Sequence, residues 1–168
     1  MTTNVDYDIF IRKLQTFSLI NMSKQIAFFI QPHPSAVTFE HYACHVIQYL
    51  YHSQPRSMII LCESQQQSTI LDQQLWEYHP YQFIPHDLSD SDECRTPIRI
   101  TTQLPDTTAN KLIINYNQNE FKCPADDIVE IISNAELNKQ SARERYRAYK
   151  ANQATIETHT DVRQIIPT

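Results

Sequence analysis

The 168-residue chain contains no glycine. Globular proteins use about 7% of this residue, so roughly a dozen are missing. No G-x-G-x-x-G fingerprint and no Walker A loop can exist without it, because both need glycine for backbone N–H groups to approach a phosphate. The composition therefore argues against a nucleoside triphosphatase or a nicotinamide dehydrogenase. A G-x-S-x-G nucleophile elbow is ruled out in the same way. Turns that require a positive φ must draw on Asn or Asp. The chain also lacks any apolar run near the ~18 residues needed to span a bilayer. Asp6 and Asp8 precede Arg12 and Lys13, the wrong polarity for a secretory signal. The expectation is a soluble cytoplasmic protein with no membrane partner. A basic excess is missing too: 14 Lys and Arg face 19 Asp and Glu, for a net charge of −5. Proteins that live on the nucleic-acid backbone are usually basic, so any nucleic-acid contact is local or indirect. Cys44, Cys62, Cys94 and Cys123 form no C-x-x-C pair, which reads as free thiols rather than a zinc or dithiol site.

What is present suffices for one folded domain, with 41% hydrophobic and 20% charged residues. A weak amphipathic pattern over 7–20 suggests a helix in an appended N-terminal stretch. Residues 25–30 and 58–62 read as buried strands and 38–53 as a helix between them. Ser64 is an N-cap candidate for a helix reaching 77, with Ile70, Leu71, Leu75 and Trp76 on its apolar side. Residues 98–102 and 111–115 read as strands, 125–133 and 136–151 as helices, and 152–168 as a frayed polar tail. The resulting order is β-α-β-α-β-β-α-α. It implies a single-domain, Rossmann-like α/β fold, with an open, largely parallel sheet, helices on both faces and no phosphate-binding Gly loop.

Four constellations were candidates for chemistry. His41 and His45 stand i, i+4 on one helix with Cys44 between them. The spacing suits zinc, but H-E-x-x-H is not matched and no third ligand is evident, so a polar helix face is the plainer reading. Asp87, Asp90, Asp92 and Glu93 lack a calcium-loop register. The cysteines sit in apolar strands or loops, and nothing assembles around them into an acyl-transfer site. No metal or other cofactor is expected.

The fourth is Lys139-Gln-Ser-Ala-Arg-Glu-Arg-Tyr-Arg-Ala-Tyr-Lys150, in which five residues are basic and one acidic. At ~100° per residue, Lys139, Arg143, Arg147 and Lys150 share one stripe. Ala142, Tyr146 and Tyr149 lie on the next, with Tyr146 at the seam. A basic lip beside an apolar surface suits a peptide that ends in an aromatic residue with a free carboxylate, which arginine can grip bidentately. An ordinary solvated helix face with cations near its C-terminus would look the same. Direct binding of single-stranded nucleic acid, with Tyr146 and Tyr149 stacking on bases, is the functional alternative. An enzyme acting through a metal at His41 and His45 is a further one.

The same helix resembles the C-terminal motif of the chi subunit family of bacterial DNA polymerase III. Leu75-Trp76 followed by Phe83-Ile-Pro-His86 is similar to that family's L-W…F-x-P-H segment. The resemblance runs from about residue 23 to 152. It implies a non-enzymatic adaptor that pairs with the psi subunit of the clamp-loader assembly. It also implies binding of the C-terminal tail of single-strand DNA-binding protein, with nucleic acid touched only indirectly. By position it places Arg143, Tyr146 and Arg147 at the tail, Lys139 as an added cation and Ile132, in the preceding helix, in the apolar pocket. Trp76 and Phe83 fall on the psi-facing surface, where core packing is the competing reading. His86 reads as structural, bonding a neighbouring backbone group. Residues 24–152 would form the chi-like domain, 1–23 a dispensable extension and 153–168 a polar tail. Met22 stands where relatives tend to begin and is a candidate start.

Overall fold

The structure is a computed structural model and describes residues 23–78, 83–89, 95–119 and 122–160. Its elements run β1 (Gln25–Ile30), α1 (Phe39–Ser53), β2 (Met58–Leu61), α2 (Gln65–Glu77), β3 (His86–Leu88), β4 (Ile98–Thr101), β5 (Leu112–Asn115), β6 (Asp127–Ile132), α3 (Glu136–Ala151) and β7 (Thr155–His159). The strands form one seven-stranded sheet in the order β3-β4-β2-β5-β6-β1-β7. Every paired neighbour is parallel.

Side chains alternate across the strands and so feed two cores. Phe29, Met58, Ile60, Ile98, Ile100 and Ile114 meet the inner faces of α1 and α2. Phe28, Ile59, Leu61, Ile113 and Ile128 turn the other way, toward Ala142 and Tyr149 of α3. Helices therefore cover both faces, which is why β2 and β5 are apolar on both. Helix starts follow local chemistry. The Thr38 side chain accepts from the His41 N–H and the Ser64 side chain from the Gln67 N–H.

Three expectations are corrected. Residues 125–133 are not a helix: Asp127–Ile132 is strand β6, paired with β1 and β5. Ile128, Ile131 and Ile132 do recur at i, i+3, i+4, but the run is short and rich in β-branched residues, which favour the pleated surface. Next, 152–168 does not open as a frayed tail. Thr155–His159 pairs with β1 as an edge strand, with Ile156 packed into the α3-side core and the His159 ring stacked on Phe29 at 4.7 Å. The element order accordingly ends β-β-β-α-β, and β3 is an added short strand beside β4. The pattern over 7–20, Met22, Cys94 and the loop residues Asp90, Asp92 and Glu93 lie outside the described residues.

Candidate functional site

The site is built on α3, and its orientation is set from below. Ala142 and Arg145 are buried on the inner face and Tyr149 is half-buried. Beneath them lies Glu130 of β6, wholly removed from solvent. The Arg145 Nε donates to both Glu130 carboxylate oxygens at 3.1 Å, and the guanidinium approaches Oε2 again at 3.0 Å through its second terminal nitrogen. Arg145 Nη1 donates to the Asn119 carbonyl at 2.9 Å. The Tyr149 hydroxyl donates to Glu130 Oε1 and the Asn115 amide to Oε2, each at 2.8 Å. A buried carboxylate is costly unless each lone pair is used. Here arginine, tyrosine and asparagine use them, and that demand fixes the rotation of α3. Burial, and then the charge of Glu130, push the Tyr149 hydroxyl upward in pKa, so it remains a donor.

With the inner row consumed, the outer row is what the helix presents. Arg143 and Arg147 are exposed and Lys139 is half-buried. Tyr146 sits at the boundary, 36% exposed, with its ring 5.7 Å from Phe28. Lys139, Arg143, Tyr146 and Arg147 are thus together on one face. Ile132 is not among them. It belongs to β6 rather than to a helix, is 0% exposed, and packs in the core under α3. Ile30 lies on the same face of β1 as Phe28, is only partly buried, and is the aliphatic residue nearer the surface there. Tyr149, considered as a stacking residue, instead faces inward with its ring edge-on to Phe28 at 6.2 Å.

A second surface lies at the end of α2. Trp76 is 56% and Phe83 64% exposed, with ring centroids 5.3 Å apart. Trp76 also covers the ring of His86 at 5.0 Å. His86 is buried, donates from Nδ1 to the Ile84 carbonyl at 2.6 Å, and places Nε2 3.3 Å from Asp72. It therefore holds β3 against α2, the structural role its position suggested. Ile70 is exposed rather than packed, while Leu71 and Leu75 are buried. The Trp76 surface belongs to the layer of α1 and α2, and α3 lies across the sheet from it.

His41 and His45 have ring centroids 4.9 Å apart, and Tyr78 packs against both. The Tyr78 hydroxyl makes a short contact with His45 Nδ1, which occupies that nitrogen. Burial, and then the neighbouring His41, lower the His45 pKa. Among the described residues, no group of three or more His, Cys, Asp or Glu is placed to hold a metal ion. Cys44 and Cys62 are buried and their thiols are pushed up to about 12, which disfavours the nucleophilic thiolate. No helix among the described residues is long and apolar enough to cross a membrane.

The pattern missed Glu130 and Arg145. Their signals were a lone charge inside a β-branched run and one arginine on the core side of the helical wheel. Comparison with known proteins bears on the rest. The family model described as DNA polymerase III chi subunit, HolC, matches residues 22–157. The DNA polymerase III subunit chi of Haemophilus influenzae is 28% identical over 141 residues, covering 82% of this chain and 97% of that protein. The DNA polymerase III subunit chi of Escherichia coli is 27% identical over 109 residues, covering 62% of this chain and 74% of that protein.

Proposed function

The chain belongs to the DNA polymerase III chi subunit family, and from that premise we propose that it is a non-catalytic adaptor of the replicative holoenzyme. It binds the psi subunit through the patch of Trp76 and Phe83. It binds the C-terminal tail of single-strand DNA-binding protein through the outer row of α3. The carrying observation is the division of labour on α3. Arg145 and Tyr149 are spent on Glu130, while Lys139, Arg143 and Arg147 remain on the outer face beside the half-exposed Tyr146. A terminal carboxylate would be gripped by Arg143, with Arg147 and Lys139 adding charge. The last apolar side chain of the tail would lie on Tyr146 and Ile30. Acidic residues upstream in the tail add attraction that salt screens. A single small site that must order a flexible peptide binds weakly, on the order of micromolar.

Fluorescence polarisation tests this with a labelled C-terminal peptide of the cognate single-strand DNA-binding protein, at two salt concentrations. Folded wild type binds, more weakly at high salt, and Arg143→Ala weakens binding about tenfold, ~1.4 kcal/mol. Absence of binding by folded wild type would sink the tail assignment. Single-stranded oligonucleotide in the same assay separates the nucleic-acid alternative, which needs both tyrosines for stacking. Tyr149 is already committed to Glu130, so oligonucleotide should not displace the peptide.

A further inference from the structure

Arg143, the central cation of the tail site, already has a carboxylate partner. Its Nη1 donates to Glu136 Oε1 at 2.8 Å. The residues are seven apart, about two helical turns, and so lie on one face of α3. Both side chains stand well out in solvent, 58% exposed for Arg143 and 72% for Glu136. The pair can therefore open by rotamer changes alone, with no movement of the helix. The hydrogen bond from Arg143, and then its charge, hold the Glu136 carboxyl below its ordinary pKa, so it is an anion at neutral pH. Glu136 also occupies the first turn of a helix whose N-cap, Ala135, has no side-chain capping bond, and the helix dipole favours a negative charge there. The anion thus has a favoured resting place within reach of the guanidinium that an incoming carboxylate needs.

We propose that Glu136 is a built-in competitor for Arg143, which a peptide carboxylate must displace to bind. This rests on the tail-binding role of α3. Glu136 presents to Arg143 the same chemical group as the terminus of the tail, and does so at the high effective concentration of an intramolecular contact. A carboxylate that offers nothing else gains little by replacing it. A tail that also brings an apolar side chain to Tyr146 has the additional contact that makes displacement favourable. The residue therefore lowers the affinity of the site for carboxylates, and lowers it most in effect for those that bring no apolar contact.

The test uses the full chain as wild type, Glu136→Gln, Arg143→Ala and the double variant, with the same labelled tail peptide. Exposed ion pairs are weak, so Glu136→Gln should tighten binding only about two- to fivefold. In the Arg143→Ala background, whose roughly tenfold weakening stays measurable, the Glu136→Gln change should have no effect. A gain that persists without Arg143 would show that Glu136 acts by repelling the acidic peptide, and would overturn the proposal. So would the absence of any gain with Arg143 present. If Arg143→Ala binds as wild type does, the tail-binding role of α3 fails, a result separable from the other two.

Discussion

At the scale of single residues, the lack of glycine has a visible consequence. Asn110 and Gln153 both adopt a φ of 59°. Asn is an expected occupant, since its short polar side chain tolerates the left-handed region. Gln is not, and its position explains its presence. β7 must begin at Thr155 to pair with Gln25 of β1, which leaves only three residues after α3 for reversing the chain. The Ala154 N–H donates back to the Tyr149 carbonyl at 3.1 Å and the Gln153 N–H to that of Lys150 at 3.1 Å. This is the helix ending that glycine usually supplies. The left-handed conformation costs a non-glycine residue about 1–2 kcal/mol, partly offset by the greater entropy glycine loses on folding. Gln153→Gly should therefore stabilise the chain by about 0.5–1 kcal/mol. Urea unfolding checks this as a higher midpoint at unchanged slope; an unchanged or lower midpoint would mean that the Gln side chain contributes something glycine removes.

At the scale of elements, the Glu130–Arg145 pair decides where α3 sits. Removing one charge strands the other in the core, which costs about 3–5 kcal/mol, whereas replacing both with apolar residues of similar volume costs far less. Glu130→Gln should thus unfold at much lower denaturant than wild type, and Glu130→Leu with Arg145→Met should recover part of the loss, the remainder being the Asn115 and Tyr149 donors left without their acceptor. Equal instability of single and double variants would mean that Asn115 and Tyr149, not the ion pair, hold the helix. The same pair marks where the sequence was legible. α1, α2, β1, β2, β4 and β5 could be read from their patterns because their inner residues are apolar and their caps, Thr38 and Ser64, conform to local rules. The outer stripe of α3 was legible from helical periodicity. β6 was not, because a charge interrupts its apolar run, and a buried charge has meaning only beside its partner 15 residues away. β7 was hidden because an edge strand needs only a thin apolar pattern, here Ile156 with help from His159. Ile132 followed the fate of its element: once β6 is a strand, the residue lies in the core under α3.

At the scale of the molecule, the sheet separates the two proposed surfaces. Trp76 and Phe83 belong to the layer of α2 and the edge at β3, whereas Arg143, Tyr146 and Arg147 belong to α3 on the other face. No residue is common to both, and the strands between them are close-packed: Ile60, Ile98, Ile100, Ile113 and Ile114 are 0% exposed. Coupling between two sites requires an element with two arrangements that each ligand biases differently. A parallel sheet whose central strands are buried on both faces has little room for a second arrangement, and sites with no shared partners act additively. The adaptor should therefore hold its partners independently. The tail peptide titrated against the chain alone and against its complex with psi should give dissociation constants within about twofold, well under the fivefold that marks typical allosteric coupling. Trp76→Ala supplies the control, because it should weaken psi binding while leaving the peptide constant unchanged. A larger shift on adding psi would mean that its docking reaches α3 through the sheet, and the first place to look would be the rotation of α3 over Glu130.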